Sequence, residues 1–462
     1  MKKILTIALL ISFTGMTFAP VMADEVNTAT PKVYKSMVKK NKKESDDYKY
    51  AYVNLDWWKS FNDANLNNYI NLAIKNNYDL KLATIATKEY YQNVKLQFSN
   101  ELPSATVGLS PNYLKMPGST DWDWMYAAPA VVNYEADIFL KNHDKTKSVK
   151  KLYEASKFDE RGAYISVASA VGTTYLNIVK LDKLIKLQKD IVATRQNIYD
   201  LMLMRNKEGL TSTADTVKAN KSLVAGTTEL YDYQKQRAIL LHQLAVLIGE
   251  SPENADSLAI TPYDNLKFKG QIPTEISSEV IINRPDYLKA EKMVEKAGID
   301  VRVAKKEFLP TINLTGLMLF AASDFGSVLS TKSALGALAI GGMLPVFTGG
   351  RRIANLRLKK EQYEQVLQNY YKTNLISIQE VNDALVAIKQ DGAKLKANQK
   401  QSQLERADFG FNQEKFTHGT ISKLDLIQVK ENLMTIDKAV ANQQINCYVD
   451  YIGLYKAAGS KI

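Results

Sequence analysis

The sequence predicts a mostly α-helical chain that carries membrane-type β-hairpins, built from one helix–hairpin–helix unit used twice. Three observations predict it. Two stretches of alternating apolar and small or polar residues read as strand pairs. Long helical stretches with almost no breakers follow each pair. The two halves of the chain also superimpose at a nearly constant offset of about 210 residues.

The strand pair within residues 309–351 is the clearer of the two. Ile312, Leu314, Met318 and Phe320 alternate with Thr311, Asn313 and Thr315. Leu338, Ile340, Leu344 and Val346 alternate with Ala337, Ala339, Gly341 and Met343. Thr, Asn, Ser, Asp and Gly interrupt the stretch too often for a spanning helix, which needs about 20 mostly apolar residues in a row. An apolar face opposite a small or polar one, over roughly 10 residues, suits a strand between lipid and a lumen. Residues 102–141 show the same pattern. Val107, Leu109 and Tyr113 alternate with Thr106, Gly108, Ser110 and Asn112, and Val132, Tyr134, Ala136 and Ile138 with Asn133, Glu135 and Asp137. Each pair is entered through Leu-Pro (Leu102-Pro103, Leu309-Pro310) and left through an apolar-Phe pair (Ile138-Phe139, Val346-Phe347), which places the strands at about 105–139 and 311–347. An open sheet in lipid leaves backbone groups unsatisfied, and the smallest membrane barrels have about 8 strands. Two hairpins per chain therefore point to a barrel shared by two or three copies. Surface hairpins of a soluble protein would show the same alternation.

Taken in order, the chain of 462 residues opens on Lys2-Lys3, an apolar run over residues 4–13, and Val21 and Ala23 at −3 and −1 of a cleavage site. That is a secretory signal peptide over residues 1–23. Asp24 follows the cut, so no lipid anchor is expected there. Residues 24–56 show no periodicity and read as an extended arm. Helical spacing then runs from Trp57 to about Asn100 through Leu66, Ile70, Leu72, Ala73, Leu80 and Leu82. After the first hairpin, helix is expected from about Asp144 to Lys207, and again, capped by Ser212 or Thr213, to about Ile248. Pro252, Pro262 and Pro273 make residues 250–275 an irregular insertion. The second half repeats the order: helix over about 274–308, the second hairpin, helix over about 353–416, a break at Gly419, and helix to about Ala458. The repeats are thus residues 57–249 and 276–462.

The duplication shows in five landmarks. Asp79-Leu80 matches Asp286-Tyr287, Pro103 matches Pro310, Phe139 matches Phe347, and Ile165-Ser166-Val167 matches Ile376-Ser377-Ile378. GLTSTADTVKANKSL from Gly209 and GTISKLDLIQVKENL from Gly419 share Gly, Asp and Leu at an offset of 210. The helices after these glycines have coiled-coil spacing. Val217, Val224, Tyr231, Ala238 and Ala245 are seven apart, and Leu426, Val429, Leu433, Ile436 and Val440 step by three and four.

At this point the residues resemble the TolC-like outer-membrane efflux proteins, most nearly the OprM/NodT branch. The carriers are WWKSFNDANLNNYINLAIKNNYDLKLA from Trp57, EADIF from Glu135, RPDYLKAE from Arg284 and LPVFTGGRR from Leu344. The resemblance implies a homotrimer with 12 strands in one barrel in the outer membrane. It implies an α-helical coiled-coil barrel through the periplasm, with residues 250–275 as an equatorial insertion. Its expected function is the exit duct of a tripartite efflux or secretion system, fed by an inner-membrane transporter (RND, ABC or MFS type) through a periplasmic adaptor. The competing reading is an exported coiled-coil oligomer of the periplasm without a pore, and the hairpins discriminate between the two.

In the family the two helix breaks form a periplasmic tip, here residues 207–218 and 418–431. There the resemblance implies gate residues Leu424, Asp425, Gln428 and Glu431, with Asp215 from the first repeat. Gly209, Gly419, Thr211 and Thr420 are implied at the turn and in adaptor docking. A Leu ring constricts, and a carboxylate ring favours cations. Asp215 and Asp425 suit helix N-termini equally well. Gly209 and Gly419 permit a tight turn. Trp122 and Trp124 fit either a lipid interface or packing of a surface loop.

Other function classes find little support. The formal charge of +11 is partly a solvated cluster over residues 32–43, and export argues against nucleic acid as a partner. His143, His242 and His418 have no metal-ligand spacing, and Gly349-Gly350 lacks the Lys-Ser/Thr of a phosphate loop. No G-x-S-x-G and no Cys/His pair points to catalysis, and no cofactor is expected. Cys447, the single cysteine, allows no intramolecular disulfide and reads as a small buried hydrophobe.

Overall fold

Asp63 starts the first helix: its side chain accepts from the backbone N–H of Asn65 and Leu66. The computed structural model describes residues 56–115, 117–118, 120–270 and 279–459, all within the unit Tyr48–Ile462. The expected signal peptide and all but the last residue of the expected arm lie outside the described residues. A 3₁₀ turn, Asp56–Phe61, precedes α1 (Ala64–Asn76) and α2 (Tyr78–Phe98). The single helical run expected from Trp57 is thus divided. At Asn77 the backbone is extended (ψ 131°), and its side chain caps α2 by accepting from Leu80 N.

The first hairpin consists of β1 (Ser104–Val107), β2 (Ser110–Leu114) and β3 (Asp123–Ala136). β1 and β2 keep one register against β3, so they are a single strand with a gap at Gly108 and Leu109. Pro129 explains the gap. Gly108 N donates to Pro129 O at 2.9 Å, but proline has no N–H to return the bond. Then α3 (Lys141–Lys207) and α4 (Thr213–Ile248) form a helical hairpin. The insertion holds two short 3₁₀ turns, Pro252–Ser257 and Tyr263–Asn265.

In the second half, a helical turn, Glu279–Ile282, is followed by α5 (Pro285–Lys306). The helix expected over 274–308 is therefore broken at Arg284 (ψ 139°), because the residue before a proline is pushed out of the helical region. Its first residues, 274–278, lie outside the described residues. Strands β4 (Thr311–Ala322) and β5 (Ala334–Met343) precede α6 (Arg351–Thr417) and α7 (Lys423–Ala458). The repeat is metrically close. α3 and α6 are each 67 residues, about 100 Å at 1.5 Å per residue, and α4 and α7 are each 36. Among the described residues no helix is long and apolar enough to cross a membrane.

The strands are shorter than expected. β3 stops at Ala136 and β5 at Met343, so Ile138, Phe139, Val346 and Phe347 lie outside the ladder. The first stop has a clear cause. The Asp137 carboxylate accepts from Lys141 N (2.6 Å) and His143 N (2.8 Å), turning the chain into α3, and Leu140 takes the left-handed conformation at φ 56°. At the second, Pro345 has no N–H to continue the sheet.

The hairpins join into one antiparallel sheet in the order β1-β3-β4-β5, with β2 continuing β1 on β3. Opposed residues share a face, and successive residues swap it. One face therefore collects Ala105, Val132, Gly316 and Leu338 in one row. Val107, Ala130, Met318 and Gly336 form the next such row, and Tyr134, Leu314 and Ile340 another. The other face takes Ser104, Asn133, Thr315 and Ala339, then Glu135, Asn313 and Gly341, and Thr315 Oγ1 bonds Asn133 Oδ1 across strands at 3.1 Å. Every apolar residue that the alternation assigned within the ladder falls on the first face, and towards the loop end the second face is apolar as well, with Val131 beside Leu317 and Pro129 beside Leu319 and Leu335. In the single chain the first face is exposed at its edges, with Val107 81% and Leu338 79% exposed, while Leu314 and Tyr134 between them are half-buried. The outer edges of the sheet are unpaired among the described residues.

The core lies where α1, α3, α4 and α7 meet, around Trp57, Phe61, Leu66, Ile70, Tyr175, Leu244 and Ile452. Tyr175 Oη donates to Asp63 Oδ2 at 2.8 Å and accepts from Thr261 N at 3.0 Å, tying the insertion to the first helix cap. Lys269 N also donates to Ser60 O at 2.7 Å. Arg284 joins three helices by donating to Asp286 (2.7 Å), Glu380 (2.6 Å) and the carbonyl of Ala457.

Candidate functional site at the helix-hairpin tips

Each tip is a turn set by one glycine and one serine. α3 ends at Lys207, Gly209 takes φ 71°, and Leu210 N donates to Arg205 O at 2.8 Å. Two hundred and ten residues on, Gly419 takes φ 70° and Thr420 N donates to Lys415 O at 2.9 Å. A side chain at either position would be strained, since this is the left-handed region. Ser212 and Ser422 then cap α4 and α7 in full capping boxes, in which the serine hydroxyl accepts from the N3 amide and the N3 aspartate accepts from the serine amide. Those aspartates are Asp215 and Asp425. The hydroxyl of the capping serine bonds each carboxylate, at 2.6 Å and 2.7 Å, and holds each below the usual carboxylate range. Thr211 Oγ1 also donates to Asp215 at 3.2 Å, and Thr420 Oγ1 donates to Lys415 O at 2.9 Å.

The other site residues lie along α7. Leu424, Gln428 and Glu431 are spaced i, i+4 and i+7, one face of a helix. Leu424 is half-buried and Gln428 exposed. Glu431 is 9% exposed and turned into the protein, where both Nε (2.8 Å) and Nη2 of Arg195 donate to its Oε1. Arg195 Nη1 also donates to Ser222 O at 2.9 Å, so one guanidinium joins α3, α4 and α7. Lys438 does the same one step further along, donating to Gln188 and Glu229 at 2.7 Å each. Sequence reasoning missed Arg195 and Lys438. Position 405, which matches Arg195 at the offset of 210, is a glutamate, so the duplication itself carries no signal for the clamp.

The two heptad runs differ. The run on α7 is packed, with Ile436 buried. On α4, Val217, Val224 and Tyr231 are 50%, 58% and 64% exposed. Trp122 and Trp124 join Tyr113, Tyr126 and Phe325 in a chain of ring contacts at 5.3–6.2 Å, at the loop end of the sheet. Among the described residues no three His, Cys, Asp or Glu side chains converge as a metal site. Cys447 is buried, and burial pushes its thiol up to about 11.

One acidic pair has a testable consequence. Burial, and then the Asp391 carboxylate on α6, push Asp450 on α7 up to about 6. The unfolded value is about 3.9, so the folded chain holds this proton more tightly. The stabilisation is full below about pH 4 and is lost as the pH rises through about 6. Asp450→Asn is expected to flatten the thermal unfolding midpoint between pH 4 and 6 and to raise it above wild type at pH 7.5. Parallel pH profiles for the two proteins would refute the assignment.

A sheet with a continuous apolar face, standing on paired helices about 100 Å long that end in polar turns, defines a channel protein of the TolC-like class. The chain belongs to the outer membrane efflux protein family, whose model matches residues 69–250 and 276–460. Pseudomonas putida TtgC, a probable efflux pump outer membrane protein, is 24% identical over 411 residues, 87% of this chain and 84% of the relative. Escherichia coli CusC, a cation efflux system protein, is 22% identical over 465 residues, 99% of each. Among solved structures, the Campylobacter jejuni CmeC outer membrane channel is 25% identical with a TM-score of 0.81, over 87% of each chain. The Neisseria gonorrhoeae MtrE outer membrane channel in its open state is 23% identical with a TM-score of 0.76, over 86% of this chain and 89% of that one.

Proposed function

We propose that this protein is the outer-membrane exit duct of a tripartite efflux or secretion system, a passive conduit with its helices in the periplasm. The observation that carries the proposal is the register of the sheet: it gives one continuous apolar face, sets Asn133, Glu135, Asn313 and Thr315 together on the other, and leaves two edges unpaired among the described residues. Backbone groups at such edges must be closed in lipid. A homotrimer closes them as a barrel of 12 strands, continued by a helical barrel of long hairpins. The bare apolar stripe on α4 supports the same assembly, because another copy would cover it. Residues 1–23 serve as the export signal, and residues 57–249 and 276–462 as the two repeats around the insertion.

Energy and cargo selection come from an inner-membrane transporter of RND, ABC or MFS type, joined through a periplasmic adaptor that docks around Gly209, Thr211, Gly419 and Thr420. The relatives are named for cargo as different as toluene, antibiotics and cations, which supports a common duct served by different pumps. At the tip, Leu424 narrows the passage, and Asp425, Gln428 and Asp215 present a polar, acidic ring. Glu431 contributes through its clamp with Arg195. Replacing Leu424 and Asp425 together by alanine is expected to raise single-channel conductance about twofold or more in planar bilayers; unchanged conductance would remove both residues from the gate.

The founding test is reconstitution of the purified mature protein in planar bilayers, with its oligomeric mass measured in detergent. A trimer with small, discrete, cation-preferring conductance is expected. A water-soluble oligomer that never inserts would overturn the barrel.

A further inference from the structure

At the junction of sheet and helices lies a basic cavity. Its volume is about 460 Å³, and Lys141, Lys145, Glu307, Arg351, Arg352 and Asn355 line it. These residues come from the starts of α3 and α6 and from the residue after α5, with Glu307 and Lys141 nearest the strand ends. Four cations thus share the space with one carboxylate. The carboxylate is already engaged, since Asn355 Nδ2 donates to Glu307 at 2.9 Å, and Lys141 Nζ is held by Glu135 at 2.7 Å. The side chains of Lys145, Arg351 and Arg352 have no hydrogen-bond or ion-pair partner among the described residues, and Arg352 Nη1 is buried. A buried donor without an acceptor is costly, more so on a charged group.

The start of α6 adds to this demand for an anion. At α3 the first amides are satisfied by Asp137. At the offset of 208 that relates Phe139 to Phe347, Asp137 corresponds to Pro345, and α6 begins at Gly350 with no side-chain cap. Guanidinium groups beside open helix amides suit the oxygens of a phosphate. Leu344, Val346 and Phe347, which lead into this turn, are exposed and apolar.

We propose that the cavity binds the phosphate of an anionic phospholipid headgroup in the leaflet nearest the helices, with the acyl chains lying along Leu344, Val346 and Phe347. The assignment rests on the membrane-barrel reading, which puts the strand ends at the headgroup level. Inorganic phosphate shares the chemistry but has no use for the apolar strip.

The test is native mass spectrometry of the mature protein released from detergent after incubation with phosphatidylglycerol, with phosphatidylcholine, or with phosphatidylglycerol plus excess inorganic phosphate. Wild type is expected to keep phosphatidylglycerol at least about tenfold better than the Lys145→Gln, Arg351→Gln, Arg352→Gln variant, the effect of losing one or two charged hydrogen bonds. Phosphatidylcholine should be held weakly, and inorganic phosphate should fail to displace the lipid. Lys145→Gln alone, an intermediate loss, serves if the triple variant does not fold. Equal retention by wild type and variant would overturn the proposal, as would displacement by inorganic phosphate. Conductance in neutral-lipid bilayers is recorded alongside: a wild type that never inserts overturns the barrel and this site together, whereas an inserting wild type that loses no lipid on mutation overturns this site alone.

Discussion

Arginine in place of Leu314 is expected to destabilise the membrane-inserted protein by about 1–2 kcal/mol, between the cost of a charge on the lipid side of a barrel strand at mid-bilayer and that near the interface. Leu314 lies between Tyr134 and Ile340 in the register, on the apolar face three residues into β4. Its neighbour Asn313 belongs to the opposite face, beside Glu135 and Gly341. Asn313→Arg should therefore insert almost as wild type does, although the two substitutions are one residue apart. Urea titration of the protein in lipid vesicles, read by tryptophan fluorescence, checks both. If Leu314→Arg inserts and resists urea like wild type, that face does not meet lipid, and the exported oligomer without a pore becomes the better reading.

Trp57→Ala is expected to cost about 3–5 kcal/mol, the range for removing a large aromatic side chain from a core. Trp57 is 2% exposed and meets Trp58 and Phe61 edge-on at 5.6 and 6.1 Å. The slot it fills exists only because position 172 on α3 is glycine: a Cβ there would come within 2.4 Å of the Trp57 ring. Gly172→Ala is thus the converse lesion, overpacking the same contact by about 1–3 kcal/mol. Thermal unfolding in detergent measures both effects. A shift for Trp57→Ala no larger than that of an exposed control such as Tyr78→Ala would show that the ring does not hold α3 to the first helices.

Much of this fold was legible because its signals are local. The long helices contain no proline, so their length could be read off directly, and Ser212 and Gly209 announce a cap and a turn by residue type. The strand faces were legible because alternation has period two and the register respects it. What stayed hidden depends on distant partners. Nothing near position 108 tells that Pro129 will face it and open the ladder. Nothing near Glu431 points to Arg195, which is 236 residues away in sequence. The heptads show the limit most clearly: Val217 to Tyr231 and Leu426 to Ile436 carry similar spacing, yet one run is bare and the other covered. Spacing defines a stripe, while the identity of what lies against it is decided elsewhere in the chain or in another copy. At the tip, the aspartates had two readings from sequence; the structure shows the cap, and the exposed carboxylates leave the gate reading to the conductance test.

The capping boxes have a mechanical consequence. Among the described residues each tip closes its turn and cap hydrogen bonds within its own helical hairpin, between residues 202 and 216 or 415 and 425, without a donor or acceptor from the other hairpin. Swinging a hairpin aside then breaks no bond of the turn itself. Such a motion works against the lateral clamps, Arg195 to Glu431 and Lys438 to Glu229 and Gln188, and against the apolar packing of Leu181 and Leu184 with Ala441. The turn and the lateral contacts are in this way governed by separate sets of residues, so a substitution in a clamp leaves the bonds of the turn intact.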